Sequence, residues 1–198
     1  MHKRSRLLTS LFMLELSKGD GDMIKLVVPS KELSDDVFAY KQEMIENGDS
    51  GLSGCGGLDK AQSYDVWIDR INEYSDRNKL PSDSTYVEGS QWLLFDVEQK
   101  QVLGMVNIRH YLSDDLLKFG GHIGYSVRPS ERRKGYAKKQ LQFALELLKD
   151  LGETKILVTC DDNNIGSSKV IESCGGVLEN KLHSDEYGLV RRYWIDNK

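Results

Sequence analysis

Apolar residues recur along this chain at two different spacings, and the changes between them divide it into elements. A short, mostly apolar run over residues 24–28, stopped by Pro29, predicts a strand. Beyond it the spacing lengthens. Leu33, Val37, Tyr40, Met44 and Ile45 share one helical face, with Ser30 or Ser34 placed to cap the helix and Asn47-Gly48 to end it. The glycine-rich stretch GLSGCGGLDK reads as a loop, and no Gly-Lys-Ser/Thr follows it to make a phosphate loop. A second helix is expected over residues 63–78, burying Val66, Trp67, Ile71 and Tyr74. Residues 92–97 and 102–112 form the arms of a hairpin around a polar turn. GGHIGYSV is a strand, and Leu141, Ala144, Leu145, Leu148 and Leu151 stripe the helix that follows. That helix is expected to start at Ser130 or Glu131 and to stop at Gly152. TKILVTC is a strand, NNIGSSKVIESCGG a short helix and GLVRRYWID a last strand. The predicted order, β-α-α-β-β-β-α-β-α-β, describes one α/β domain on a largely central mixed sheet.

Composition narrows the class. With 198 residues, 39% hydrophobic and 29% charged, the chain suits a single soluble domain. A net charge of -4 gives no global attraction to nucleic acid or an anionic membrane, so neither is expected as a partner. Cys55, Cys160 and Cys174 form no C-x-x-C pair, and His2, His110, His122 and His183 form no H-E-x-x-H. Neither a disulfide framework nor a metal site is expected, and a reducing, cytoplasmic setting follows. The basic and then apolar start imitates a signal peptide, but Glu15 interrupts it and no A-x-A-like site follows. Residues 1–22 are therefore expected to be an extension, with the domain spanning 23–198. A homodimer is the default for such a chain.

The densest positive charge sits on the turn ERRKGYAKK. A helix start has amide hydrogens with no partner in the helix and carries partial positive charge. Gly135 has no Cβ to keep a ligand from the backbone, and Ala137 keeps the next turn slim. Arg133, Lys134 and Lys138 add full charges that oppose the helix dipole by about 0.3–1 kcal/mol each. A turn built for stability alone would carry Asp or Glu there. The combination describes an anion pocket, most naturally for a pyrophosphate.

Arg132, Gly135 and Ala137 in RRKGYA fit the R/Q-x-x-G-x-G/A signature, and the stretch resembles the GNAT N-acetyltransferase superfamily. Asn164, Ser167, Val170 and Gly175 are similar to that superfamily's second motif, on the expected later helix. The resemblance spans residue 23 to the end and implies a GNAT-like α/β (α+β) fold, with a mixed, mostly antiparallel sheet flanked by helices. It implies acetyl-CoA as co-substrate and a small-molecule or peptide amine as acceptor. The backbone of Arg132, Arg133, Lys134, Gly135, Tyr136, Ala137 and Lys138 would bind the pyrophosphate. The strand ending at Val127 would hold the pantetheine arm, and Asn164 would touch the opposite wall. The Val127 N–H would face the developing oxyanion. The attacking amine must lose a proton.

The resemblance leaves the base open. Gly121 stands where some relatives carry Glu. His122 beside it needs a bulge to reach the site, and Asp161 is the other candidate, or else a helix cap. Ile171 stands where many relatives carry an acidic Tyr, so Tyr125, Tyr136 or water would protonate the thiolate. These two departures motivate a second reading, a CoA-binding module without turnover. Of Arg109, His110, Arg191 and Arg192, most are expected to pair with surface carboxylates. Any that line the acceptor cleft would favour a carboxylate-bearing acceptor, whereas Asp35, Asp36, Glu43, Glu46 and Asp49 would draw a cationic one.

Overall fold

Four strands form one antiparallel sheet in the order β1-β2-β3-β4: β1 (Ile24–Val27), β2 (Gly89–Asp96), β3 (Gln101–Arg109) and β4 (Ile123–Val127). Three more form a second antiparallel sheet in the order β5-β7-β6: β5 (Lys155–Asp161), β6 (Val177–Ser184) and β7 (Gly188–Asp196). The helices are α1 (Ser34–Glu46), α2 (Tyr64–Tyr74), α3 (Tyr136–Asp150) and α4 (Ile165–Ser173). This computed structural model describes residues 23–49, 51–80, 84 and 86–198, so the expected extension over 1–22 lies outside the described residues.

The α/β class is as expected, but the sheet is divided where β4 and β5 would meet. Side chains hold the halves together beneath that division. Leu141, Phe143, Ala144 and Leu148 of α3 pack in one cluster with Leu94 and Ile108 of the first sheet and Ile156, Val158 and Tyr193 of the second. A separate cluster covers the other face of the first sheet, from α1, α2 and the glycine-rich loop. There Val37, Tyr40, Cys55, Leu58 and Trp67 are fully buried against Leu93, Val102 and Met105. Both faces of β2 and β3 are therefore covered, which is why their sequences run apolar with little alternation. Each fully buried aliphatic or aromatic side chain contributes roughly 1.5–3 kcal/mol. Trp67 also donates its indole N–H to the Cys55 carbonyl at 2.8 Å, tying the loop to α2.

Several sequence expectations move. Ile45 and Val66 are 51% and 54% exposed, so the buried faces of α1 and α2 lie one step round from the expected stripes. Tyr64 is buried in place of Val66. Neither Ser30 nor Ser34 caps α1, because a 3-10 turn over Lys31–Leu33 leads into it, whereas Ser63 accepts from the Val66 N–H to cap α2. α2 stops at Tyr74 rather than at residue 78. α3 starts at Tyr136, five or six residues after the expected start. β6 was not expected at all. Its residues are almost all exposed, so no apolar alternation announces it.

Candidate active site

β4 ends one sheet, and its hydrogen-bond phase decides what its free edge offers. Arg109 donates its N–H to the His122 carbonyl (2.8 Å), and Arg128 donates to the Leu103 carbonyl (2.9 Å). Bonded and non-bonded pairs alternate along an antiparallel ladder. Gly124 and Ser126 therefore turn their amides toward β3, and Ile123, Tyr125 and Val127 turn theirs away, toward β5.

At its upstream end the seam is closed by one residue. His122 donates its main-chain N–H to the Leu157 carbonyl at 2.8 Å, and its ring Nδ1 accepts from the Leu157 N–H at 3.0 Å. Burial pulls its pKa down to about 4. The ring is then neutral near pH 7, with Nδ1 occupied and the hydrogen on Nε2. Nearby Gly121 has φ +65°, and a Cβ on it would lie 2.6 Å from the Leu157 carbonyl oxygen. β3 and β4 pair without a bulge, so His122 is not carried into the cleft and instead closes the seam.

Downstream the strands separate around a cavity of about 240 Å³. Ile123, Gly124 and Tyr125 line one side, and Thr159, Cys160, Asp161, Asn164 and Ser167 the other. Ser53 and Gly54 form its rim. A Cβ at Gly54 would sit 2.5 Å from the Gly124 carbonyl and the Tyr125 Cα, so only glycine lets this loop rest on β4. The Tyr125 hydroxyl reaches the Ser167 Oγ at 2.8 Å, and burial raises its pKa, so it stays protonated. Burial pushes the Cys160 thiol up to about 11, leaving it a poor nucleophile. Asp161 also lines the cavity. Its carbonyl accepts from the Asn164 N–H at 3.0 Å, but the α4 cap is the Asn164 side chain, which accepts from the Ser167 N–H. The Asp161 carboxylate is left without a hydrogen bond or ion pair among the described residues.

The basic turn follows β4. A 3-10 turn over Pro129–Glu131 precedes it, Arg133 has φ 67° and Gly135 caps α3 at φ 87°. The expected first helical turn is thus largely loop. Among the described residues no hydrogen bond takes the main-chain N–H groups of residues 133–138. A Cβ on Gly135 would meet nothing within 4 Å, so a ligand can reach the backbone there. Arg132 stands apart from this run. Its N–H donates to the Pro129 carbonyl, its Nε to the Val127 carbonyl (3.1 Å), and its Nη2 pairs with Asp49 (2.8 Å). Lys134 pairs with Glu131 at 2.8 Å, while Arg133 and Lys138 have no ion pair among the described residues. Tyr136 packs partly against the core cluster.

A model of the acetyltransferase (GNAT) domain matches residues 42–177, more than half of the chain. The protein belongs to the GNAT acetyltransferase family. Membership makes it an acyltransferase. The chain matches no curated protein sequence. Solved structures share the GNAT fold. The ribosomal-protein-S5-alanine acetyltransferase from Vibrio fischeri superposes with TM-score 0.68 at 13% identity, covering 94% of this chain and 97% of that one. A variant of the spermidine N-acetyltransferase SpeG from Vibrio cholerae gives 0.62 at 18%, covering 89% and 95%. The microcin C7 self-immunity acetyltransferase MccE, in complex with acetyl-CoA and AMP, gives 0.64 at 16%, covering 89% and 93%.

Within this GNAT fold the structure gathers Tyr125, Asp161 and Asn164 around the cavity and leaves His122 outside it. It also brings in one of the four basic residues that the sequence left between surface pairing and the acceptor cleft. His110 lies 3.8 Å from Glu88, Arg191 pairs with Asp162 (2.7 Å) and Arg192 pairs with Glu179, but Arg109 lines the cavity with no carboxylate partner among the described residues. No helix among the described residues is long and apolar enough to cross a membrane.

Proposed function

We propose that the protein moves an acetyl group from acetyl-CoA to a primary amine by direct attack. One observation carries this reading: the free edge of β4 leads straight into the unbonded amides of residues 133–138. Acetyl-CoA has the complementary parts in the same order, an amide-bearing arm for a strand edge and a pyrophosphate for a helix start. Tyr125 and Val127 would bond the arm through their main chains. Arg133, Lys134, Gly135, Tyr136, Ala137 and Lys138 would offer amides to the pyrophosphate, and Arg133 and Lys138 would add charge. Asn164 would border the arm from the far wall.

Acetyl-CoA, when bound, supplies a thioester carbon open to an amine. The chain's own residues do the rest. Asp161, with its carboxylate unengaged, takes the proton that the amine must lose. The Tyr125 hydroxyl, held by Ser167 and kept protonated by burial, supplies a proton for the leaving sulfur. The Val127 N–H stabilises the developing oxyanion. His122 transfers no proton and instead holds the strands together where they meet. Arg132 braces the turn from Asp49. A small-molecule or peptide acceptor and a cytoplasmic setting complete the reading, and three free cysteines are in keeping with that setting.

The test follows free thiol from acetyl-CoA in the presence of an amine panel, with mass detection of the acetylated product. Acceptor-dependent thiol release is expected. Tight acetyl-CoA binding in calorimetry with no release from any amine would replace this reading with that of a CoA-binding module.

A further inference from the structure

The cavity carries one charge of each sign. Arg109 Nη1 donates to the carbonyls of Gly120 (3.0 Å) and Gly121 (3.1 Å), which uses both of its hydrogens. Nη2 and Nε have no hydrogen-bond partner among the described residues, and together they form the edge of the fork that matches two carboxylate oxygens. Nη2 lies against β4, since a Cβ on Gly124 would come within 3.7 Å of it. Arg109 is half-buried, and burial draws its pKa down from the usual range. A guanidinium so placed without a counter-ion favours an incoming anion. Asp161 lines the same cavity, and no ion pair within 4.0 Å joins the two.

Much of the competing charge is neutralised, Asp35 and Glu46 being the two acids of that group whose bonds are to neutral side chains. Asp36 pairs with Arg128 at 2.8 Å, Glu43 lies 3.6 Å from Arg128 and accepts the Ser130 N–H at 2.7 Å, and Asp49 is held by Arg132. These three acids have little attraction left for a cationic acceptor.

Resting on the acetyltransferase reading above, we infer that the acceptor carries a carboxylate close to its amine, as free amino acids do, and that Arg109 grips that carboxylate. Asp161 then faces the ammonium and takes its proton. The amine nitrogen bonds to the acetyl carbon, the carbon–sulfur bond breaks, and the sulfur leaves as thiolate to be protonated. A phosphate monoester fits less well, because Arg109 is the single Lys or Arg lining the cavity among the described residues. The cavity of about 240 Å³ would be shared with the acetyl end of the arm, which leaves room only for a compact acceptor. An internal backbone carboxyl of a peptide is an amide and would leave the fork unmatched.

The test uses the full chain and acetyl-CoA with acceptors in matched sets: amino acids, their α-carboxamides and their decarboxylated amines. Free-thiol kinetics should give the acids about 100-fold higher kcat/KM than the amides, the penalty of leaving a buried polar group unmatched. In Arg109→Gln the preference, read as the ratio of acid to amide kcat/KM, should fall to within about threefold. Equal turnover of acids and amides by the unmodified protein overturns the inference without any variant, and so does a preference that survives in Arg109→Gln. Amines turned over without preference for acids overturn this inference alone. Thiol release from no acceptor overturns the acetyltransferase reading and this one with it.

Discussion

The two ends of the seam between β4 and β5 are built from similar backbone and have opposite characters. At the closed end, His122 and Leu157 satisfy each other twice, and Gly121 presses against the same carbonyl. At the open end, Tyr125 and Val127 present amides that β3 does not take, and the unbonded run of residues 133–138 follows. The run of residues 133–138 is exposed or half-exposed, and the first amides of a helix have no partner within it, so these N–H groups face water or an anion. The arginines divide in the same way. Arg128 and Arg132 are locked to Asp36 and Asp49, whereas Arg109 and Arg133 have no ion pair among the described residues.

The largest effect is expected from breaking the closed end. Gly121→Val puts a branched side chain at φ +65° and 2.6 Å from a backbone oxygen that cannot move aside. A loss of at least about 4 kcal/mol should show in chemical denaturation. Next comes the pH dependence of the same end. The folded His122 pKa is depressed to about 4 from 6.5, so the folded state binds fewer protons than the unfolded chain between those values. Its stabilisation is complete above pH 6.5 and is lost as pH falls toward 4, by up to about 3 kcal/mol. Denaturation at pH 7 and pH 5 should show this slope, and His122→Gln should flatten it.

The open end should respond in binding and rate while the fold is preserved. Gly135→Asp places a carboxylate where the pyrophosphate is proposed to sit, and Asp tolerates the left-handed backbone and suits a helix cap. Calorimetry should find acetyl-CoA affinity weakened about 100-fold, or about 2.7 kcal/mol, with melting unchanged within a few degrees. Equal losses in affinity and melting temperature would erase the distinction between the two ends. The smallest effect is expected from Tyr125→Phe, which should lower kcat about tenfold with little change in acetyl-CoA affinity, because water can replace one proton donor. An unchanged kcat would remove Tyr125 from the chemistry.

Much of this frame was readable from the residues. The α3 stripe and the β2–β3 hairpin follow from periodicity, and glycine with basic neighbours pointed to the turn that carries the unbonded amides. Sequence spacing could not tell which flank of a helix faces inward, so Ile45 and Val66 were misassigned. It could not show that Arg133 and Gly135 adopt left-handed backbone and delay the helix to Tyr136. β6 left no apolar signal. Arg109 could not be singled out from His110, Arg191 and Arg192, because its significance lies in which carboxylates fail to reach it, and that depends on tertiary placement. His122 was conspicuous as a titratable group, yet its surroundings give it a mechanical part.

The phase of the β3–β4 ladder has a consequence for solvent exchange. In the free protein, the amide hydrogens of Gly124 and Ser126 should exchange slowly with deuterium and those of Tyr125 and Val127 quickly, giving a strand protected at every other position. A bound pantetheine arm should slow the fast pair and leave the slow pair as they were, so that protection along β4 becomes continuous.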